Sequence, residues 1–186
     1  MKVNNIIKKV AKILDLSNVH EFLNGDIEST DSISQDIEKL LLACNIVNGI
    51  IASQYMEVIE VIDKEICYGS ITLTDITDKN IIEIKEITNG NGAPIEYQII
   101  SGRIYVDASF VKIKFSYFPK DVGIDDNIDY YLKMDENVFA QGVVSEYLFL
   151  KGDFEESYIY DARFKNSISS LLRPKRNIVT PAKRWL

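Results

Sequence analysis

Cysteine, histidine, tryptophan and proline are all scarce: 186 residues hold two, one, one and four of them. One histidine, His20, with Cys44 and Cys67 far from it and from each other, cannot supply a zinc-type ligand cluster. Cys44 falls in an apolar helical pattern and Cys67 opens a strand-like run, so two buried reduced thiols are expected in preference to a bridge. No apolar stretch reaches the 18 residues of a membrane span, and the N-terminus is polar every few residues, without a secretory pattern. A soluble protein made in a cytoplasm is the expectation. No serine lies in a nucleophile elbow, and "NGNGAP" lacks both the lysine of a phosphate loop and the spacing of a dinucleotide site, so it reads as a turn. Asp125, Asp126 and Asp129 in "DDNID" lack the glycine and ordered oxygen donors of a calcium loop and read as a solvated linker. Glu155 and Glu156 suit the first turn of a helix better than an acid–base pair. The sequence therefore assigns no catalytic, cofactor-binding or metal-binding residue, and predicts no enzyme.

What is present is apolar bulk and acid. At 46% apolar composition the chain can bury one core, or a core with a small subdomain. Basic residues number 21 against 28 acidic ones, a net charge of −7. The last stretch, "LLRPKRNIVTPAKRWL", carries five basic residues and no acid; without Arg173, Lys175, Arg176, Lys183 and Arg184 the rest has 16 against 28, or −12. So acidic a body argues against general or specific nucleic-acid binding, which needs a broad cationic face.

The periodicity predicts helices, then a sheet, then helices, within one unit spanning 1–172. Val3, Ile6, Ile7, Val10, Ile13 and Leu14 fall at helical spacing. Ser17 can cap a turn that Asn24-Gly25 ends. From a start at Ser34, the pattern through Ile37, Leu40, Cys44, Val47 and Ile51 continues toward Tyr55 and Val58, placing helices over 1–62 with Gly49 as a kink, a break or a close crossing. Between about 66 and 118 the residues turn β-branched: "EICYGSITLTDI", "KNIIEIKEI" with Ile82 and Ile84 alternating against Glu83 and Lys85, and Val111, Ile113, Phe115 and Tyr117 alternating with lysines and serine. Four or five antiparallel strands are expected. After the linker, helices over about 136–172 form an antiparallel hairpin around "KGD" and stop before Pro174. Phe139, Val143, Leu150 and Tyr147 face Phe154, Phe164 and Ile168, with Gly142 at a close approach of another backbone. The fold class is α+β: a helical framework, an inserted small antiparallel sheet and an extended arm over 173–186.

Ten tyrosines and eight phenylalanines can furnish interfaces as well as cores; Tyr117, Phe118, Tyr130 and Tyr131, flanking the polar linker, stand out. The arm has three readings: a solubilising end, a nucleic-acid contact, or a segment docking in an acidic partner groove. Ile178, Val179, Trp185 and Leu186 spaced among the charges favour the last, with Pro174 and Pro181 lowering the cost of ordering.

"NVFAQGVVSEYLFLKGDFEESYIYDARFKNSISSLLRPKR", with "RWL" after it, resembles bacteriophage head-to-tail connector proteins of the adaptor or tail tubular A type. Those carry a helix with an Ala, Gly and "EY" face, a "GxFEEA" turn, a helix of "W/Y-x-x-R-Y/F" character and a basic end. The matching residues are Ala140, Gly142, Glu146, Tyr147, Gly152, Phe154, Glu155, Glu156, Tyr160, Arg163, Phe164, Arg176, Arg184 and Trp185; Ser157 replaces the usual alanine. The resemblance covers about the last 50 residues and the helix–sheet–helix order. It implies a structural ring protein of the virion neck, commonly of twelve copies, made in the host cytoplasm, bound to the portal protein and to a tail or second ring protein, without cofactor or membrane. It implies an arm that binds portal or neighbour through Arg173, Lys175, Arg176, Ile178, Val179, Lys183, Arg184 and Trp185. The alternative is a small intracellular ligand-binding domain or enzyme with an unrecognised site.

Overall fold

The computed structural model describes residues 1–130 and 134–173. Lysines alternate with an apolar stripe in α1 (Val3–Ile13), which buries Val3, Ile6, Ile7, Val10 and Ala11 completely. A second helix, α2 (Ser17–Asn24), ends at Gly25; Ser17 makes no side-chain cap. The long α3 (Asp31–Gln54) starts earlier than the sequence suggested, because the Thr30 hydroxyl, not Ser34, accepts from the Ile33 amide at 3.4 Å. It also stops earlier. The apolar spacing runs on through Tyr55 and Val58, yet Ile59–Glu65 is a strand, β1, so the helical reading of 1–62 fails at its last eight residues. Gly49 does not break α3 and marks no close crossing: a Cβ there would meet only the Phe118 ring, at an ordinary 3.8 Å.

The chain is α+β, with helices, then strands, then helices again. Its β part is two three-stranded antiparallel sheets rather than one. The first has the order β1-β6-β3, with β3 at Ile81–Asn89 and β6 at Phe110–Tyr117; the second has the order β2-β5-β4, with β2 at Ser70–Thr72, β4 at Tyr97–Ile100 and β5 at Arg103–Val106. "LTDI" within the expected first strand run is instead a single helical turn, α4 (Leu73–Ile76). On β6 the expected alternation holds from Val111 through Ile113 to Phe115, all fully buried, and fails after them, where Ser116 is buried and Tyr117 is half-buried. On β3 it slips: register shifts at Ile81/Glu83 and Ile84/Glu86 put Ile84 and Ile87, three apart, on the same inner face. Cys67, expected to be buried, is exposed beside the tight turn at Tyr68 and Gly69, both at positive φ.

Among the described residues two hydrophobic cores result, and none of those residues belongs to both. The sheet core gathers Ile71, Ile84, Ile87, Ile104, Ile113 and Phe115. The helical core gathers α1, α3 and the final pair, α5 (Glu136–Lys151) and α6 (Phe154–Leu172). The segment after β6 leaves Asp125, Asp126 and Asp129 exposed, as expected of a solvated linker, but it is also anchored to the helical core. Ile128 and Met134 are buried, the Val3 amide donates to Asp126 O at 3.0 Å, and the Met1 amine donates to Ile128 O at 2.7 Å. Tyr131 and residues 174–186 lie outside the described residues.

Candidate functional site

The α5–α6 hairpin carries the residues singled out by the sequence, and its local chemistry explains its shape. The Asp135 carboxylate accepts from the Asn137 amide at 2.8 Å and caps α5, while Lys9 on α1 pairs with Glu136 at 3.1 Å. Gly152, at φ +93°, ends α5 in the left-handed conformation that a side chain disfavours, and the Asp153 amide donates back to Leu148 O at 3.0 Å. The turn thereby sends α6 back along α5. Inside the hairpin the Ser145 hydroxyl donates to the Ser157 carbonyl at 2.9 Å, and both serines are buried.

Phe139, Val143, Tyr147, Phe164 and Ile168 are buried as expected. Gly142 sits where three helices meet, and a Cβ on it would lie 3.0 Å from Val47 Cγ1 and 3.1 Å from Phe164 Cδ2. Side chains of α3 and α6, rather than a backbone, make this approach. The Tyr147 hydroxyl donates to Asp36 Oδ1 at 2.9 Å and the Lys151 ammonium does so at 2.8 Å, tying α5 to the start of α3. Burial opposes ionisation of Asp36, but these two hydrogen bonds outweigh it and hold its pKa below the ordinary 3.8. Glu146 shifts the other way: burial first, then the nearby Asp161 carboxylate, raises its pKa against the opposing Lys165.

Two expected packing residues do not enter the core. Phe154 and Leu150 are exposed: both lie at the turn end of the hairpin, beyond the three-helix contact at Gly142. Phe154 instead packs edge-on against Phe149, with ring centroids 5.3 Å apart. Tyr158 and Ile159 complete the group, and the exposures are 57% for Phe149, 60% for Phe154, 74% for Tyr158 and 50% for Ile159. Asp153, Glu155 and Glu156, all exposed, stand among them. Phe154 and Tyr158, four residues apart, share one face of α6, and Glu155 and Ile159 share the next. A tip of alternating aromatic, aliphatic and acidic groups results. The sequence reading missed Phe149, Tyr158 and Ile159, although Phe149 falls off the stripe of Phe139, Val143 and Tyr147 on α5, and Tyr158 and Ile159 fall off that of Phe164 and Ile168 on α6, which was the available signal.

The other candidates are placed as follows. His20 Nδ1 lies 3.3 Å from the Asn24 amide on its own helix. Asp126 accepts from the Gly123 amide at 2.7 Å, and Asp129 lies 3.6 Å from the Met1 amine. Among the described residues no three His, Cys, Asp or Glu side chains converge as a metal site, and no helix is long and apolar enough to cross a membrane. A cavity of about 570 Å³, lined in part by Tyr55, Met56, Glu57, Ile59 and Tyr130, opens where α3 gives way to β1. Tyr130 donates its hydroxyl hydrogen to the buried Asn48 side chain behind it, and burial raises its pKa. Of the suspected arm residues Arg173 is described, exposed and in extended conformation at the end of α6. Lys175, Arg176, Ile178, Val179, Lys183, Arg184 and Trp185 lie outside the described residues.

No protein-family model matches the sequence, and no curated protein matches it.

Proposed function

We propose that this chain is a structural subunit of a bacteriophage neck, one copy of a ring, of twelve in the expected case, that joins the portal to a tail-side protein. In this reading it works in the virion through protein–protein contacts and performs no chemistry. The observation that carries the proposal is the tip of the α5–α6 hairpin, where four large side chains, Phe149, Phe154, Tyr158 and Ile159, are exposed together. The same hairpin bears the resemblance to connector proteins: Ala140, Gly142, Tyr147 and Phe164 pack it, and Phe154, Glu155 and Glu156 face outward.

The test is the native mass of the full chain, alone and mixed with a purified portal ring. A closed ring in either condition, weakened by Phe154→Ser with Tyr158→Ser, is expected. A chain that stays monomeric and ignores the portal overturns the proposal. A second reading, a ligand-binding domain, is favoured by the cavity beside Tyr130, whose volume lies in the ordinary range for small-molecule sites. Saturable binding of a small metabolite that Tyr55→Ala abolishes, in a protein that forms no ring, would select it.

A further inference from the structure

We propose that the free edge of β1 pairs with the β1 edge of a second copy, antiparallel about a two-fold axis, to give one continuous sheet of order β3-β6-β1-β1-β6-β3. The inference does not depend on the ring reading: a two-fold contact closes at two copies, whereas the contacts around a ring run head to tail.

The backbone shows which groups are available. The Tyr117 amide donates to Val58 O at 3.1 Å and the Ile66 amide to Ser109 O at 2.8 Å, at the two ends of an unbroken β1–β6 register. Hydrogen-bonded positions alternate along an antiparallel pair, so Glu60, Ile62 and Lys64 turn their peptide groups toward β6, and Ile59, Val61, Asp63 and Glu65 turn theirs away from it. Among the described residues no strand takes those outward groups. The other sheet edges are blunted, β3 by its register shifts and β2 and β4 by lengths of 3 and 4 residues. By contrast β1 runs for 7 residues without a bulge and exposes Ile59 and Val61.

The side chains say what fits. Charges on an edge strand ordinarily repel a partner, but those of β1 are complementary to themselves. In the one antiparallel register that pairs all 7 residues, Ile62 lies on the axis opposite Ile62 of the second copy, and Glu60 lies opposite Lys64 on either side of it. These are the non-hydrogen-bonded positions, where Cα atoms come within about 4.5 Å and side chains approach most closely. Slipping the register by two residues destroys the match: one direction sets Glu60 against Ile62, and the other sets Asp63 against Asp63. Ile62 packs at the border of the sheet core, opposite Ile113, so a second Ile62 extends that core across the axis. Glu60 pairs with Lys79 at 2.9 Å, and the Lys64 ammonium donates to Asp75 O at 2.8 Å. A carboxylate accepts from two ammoniums and an ammonium has three donors, so neither bond has to be given up. The antiparallel arrangement also sends the two helical bodies off at opposite ends of the paired strands, about 20 Å apart.

Sedimentation velocity of the full chain at rising concentration, with hydrogen exchange read at single amides, tests this. A dimer is expected, in which the amides of Ile59, Val61, Asp63 and Glu65 gain protection as concentration rises, while those of Glu60, Ile62 and Lys64 are protected throughout. Glu60→Lys sets lysine against Lys64 on both sides of the axis, and Lys64→Glu sets glutamate against Glu60, so each should lower the association constant by about tenfold or more. An equimolar mixture of these two proteins should dimerise again, because every altered position then meets the opposite charge. Val61→Pro removes an outward amide and none of the bonds to β6, so it should abolish the dimer while Glu60 and Ile62 keep their protection. A chain that stays monomeric at every concentration overturns the proposal. So does association that survives Val61→Pro, which would place the contact elsewhere, the hairpin tip included. Loss of association in the single variants without recovery in their mixture would seat a different strand on the edge and overturn the self-pairing. Should Val61→Pro unfold β1, the charge mixture decides alone.

Discussion

Asn45 holds the backbone of Val122 from both sides: its amide donates to the Val122 carbonyl at 3.2 Å, and its side-chain oxygen accepts from the Val122 amide at 2.8 Å. Seventy-seven residues separate the two, and this pair fixes the returning segment to α3. Asn45→Ala removes both bonds and should cost about 1–3 kcal/mol. Denaturant unfolding measures the loss, and faster hydrogen exchange at the Val122 amide should localise it. Unchanged exchange there would show that the segment is held by its apolar residues instead.

Gly142 is the tightest point of the helical core. Gly142→Leu should destabilise by about 1–3 kcal/mol through overpacking against Val47 and Phe164. Gly142→Ala sets a helix-propensity gain of about 0.8–1 kcal/mol against a Cβ that needs its neighbours to give, so its effect should be much smaller. The cost of the leucine should shrink in a Val47→Ala background. Urea midpoints of the native protein, the three single variants and the Gly142→Leu, Val47→Ala double variant decide it, and an unchanged midpoint for Gly142→Leu would sink the account of a close crossing.

The Asp36 pair predicts a pH dependence with two limits. Its folded-state pKa is depressed, so its contribution is complete above the unfolded value and is lost as pH falls through the lower folded one, at the acid end below about pH 4. Lys151 is shifted up from 10.5, first by its hydrogen bond to Asp36, so its contribution is present below that value and disappears as pH rises through the folded pKa. Asp36→Asn should lower stability at pH 7 by about 1 kcal/mol and flatten both limits. Thermal unfolding from pH 3 to 11 is the measurement; parallel curves for native and variant proteins would refute it.

The two cysteines should react in opposite ways. Cys44 is fully buried, and desolvation pushes its thiol up to about 12, whereas Cys67 is exposed. A thiol-specific reagent near neutral pH should modify one cysteine in the native protein and the second only on unfolding. Peptide mapping should place the fast site at Cys67, and native labelling of Cys44 would contradict the helical core described above.

Elements with one sustained period were legible in the sequence: α1, the body of α3, the inner face of β6 and both helices of the final hairpin. The failures share a cause, which is that periodicity reports an element and not its end. Tyr55 and Val58 continue the stripe of α3, so nothing in that stripe announces β1; the β-branched run Val58, Ile59, Val61 and Ile62 was the contrary signal. The segment around Ile128 has no period because backbone hydrogen bonds to Met1 and Val3 hold it, and such bonds leave no mark on side-chain pattern. Phe154 was read as a core residue because aromatic character was visible in the sequence and its place at the turn end, beyond the three-helix contact, was not.

The pairing of β1 with β6 sets Ile59 opposite Ser116, so the chain departs from the helices and comes back to them through a single gateway, with opposing Cα atoms about 5 Å apart. Whatever lies between those two residues is a graft on a common stem. Recombination can lengthen, shorten or replace such a graft without changing where α3 meets α5, because the two cores share no described residue. Helices and strands are thus separately packed, and a substitution inside one core should leave the packing of the other unchanged.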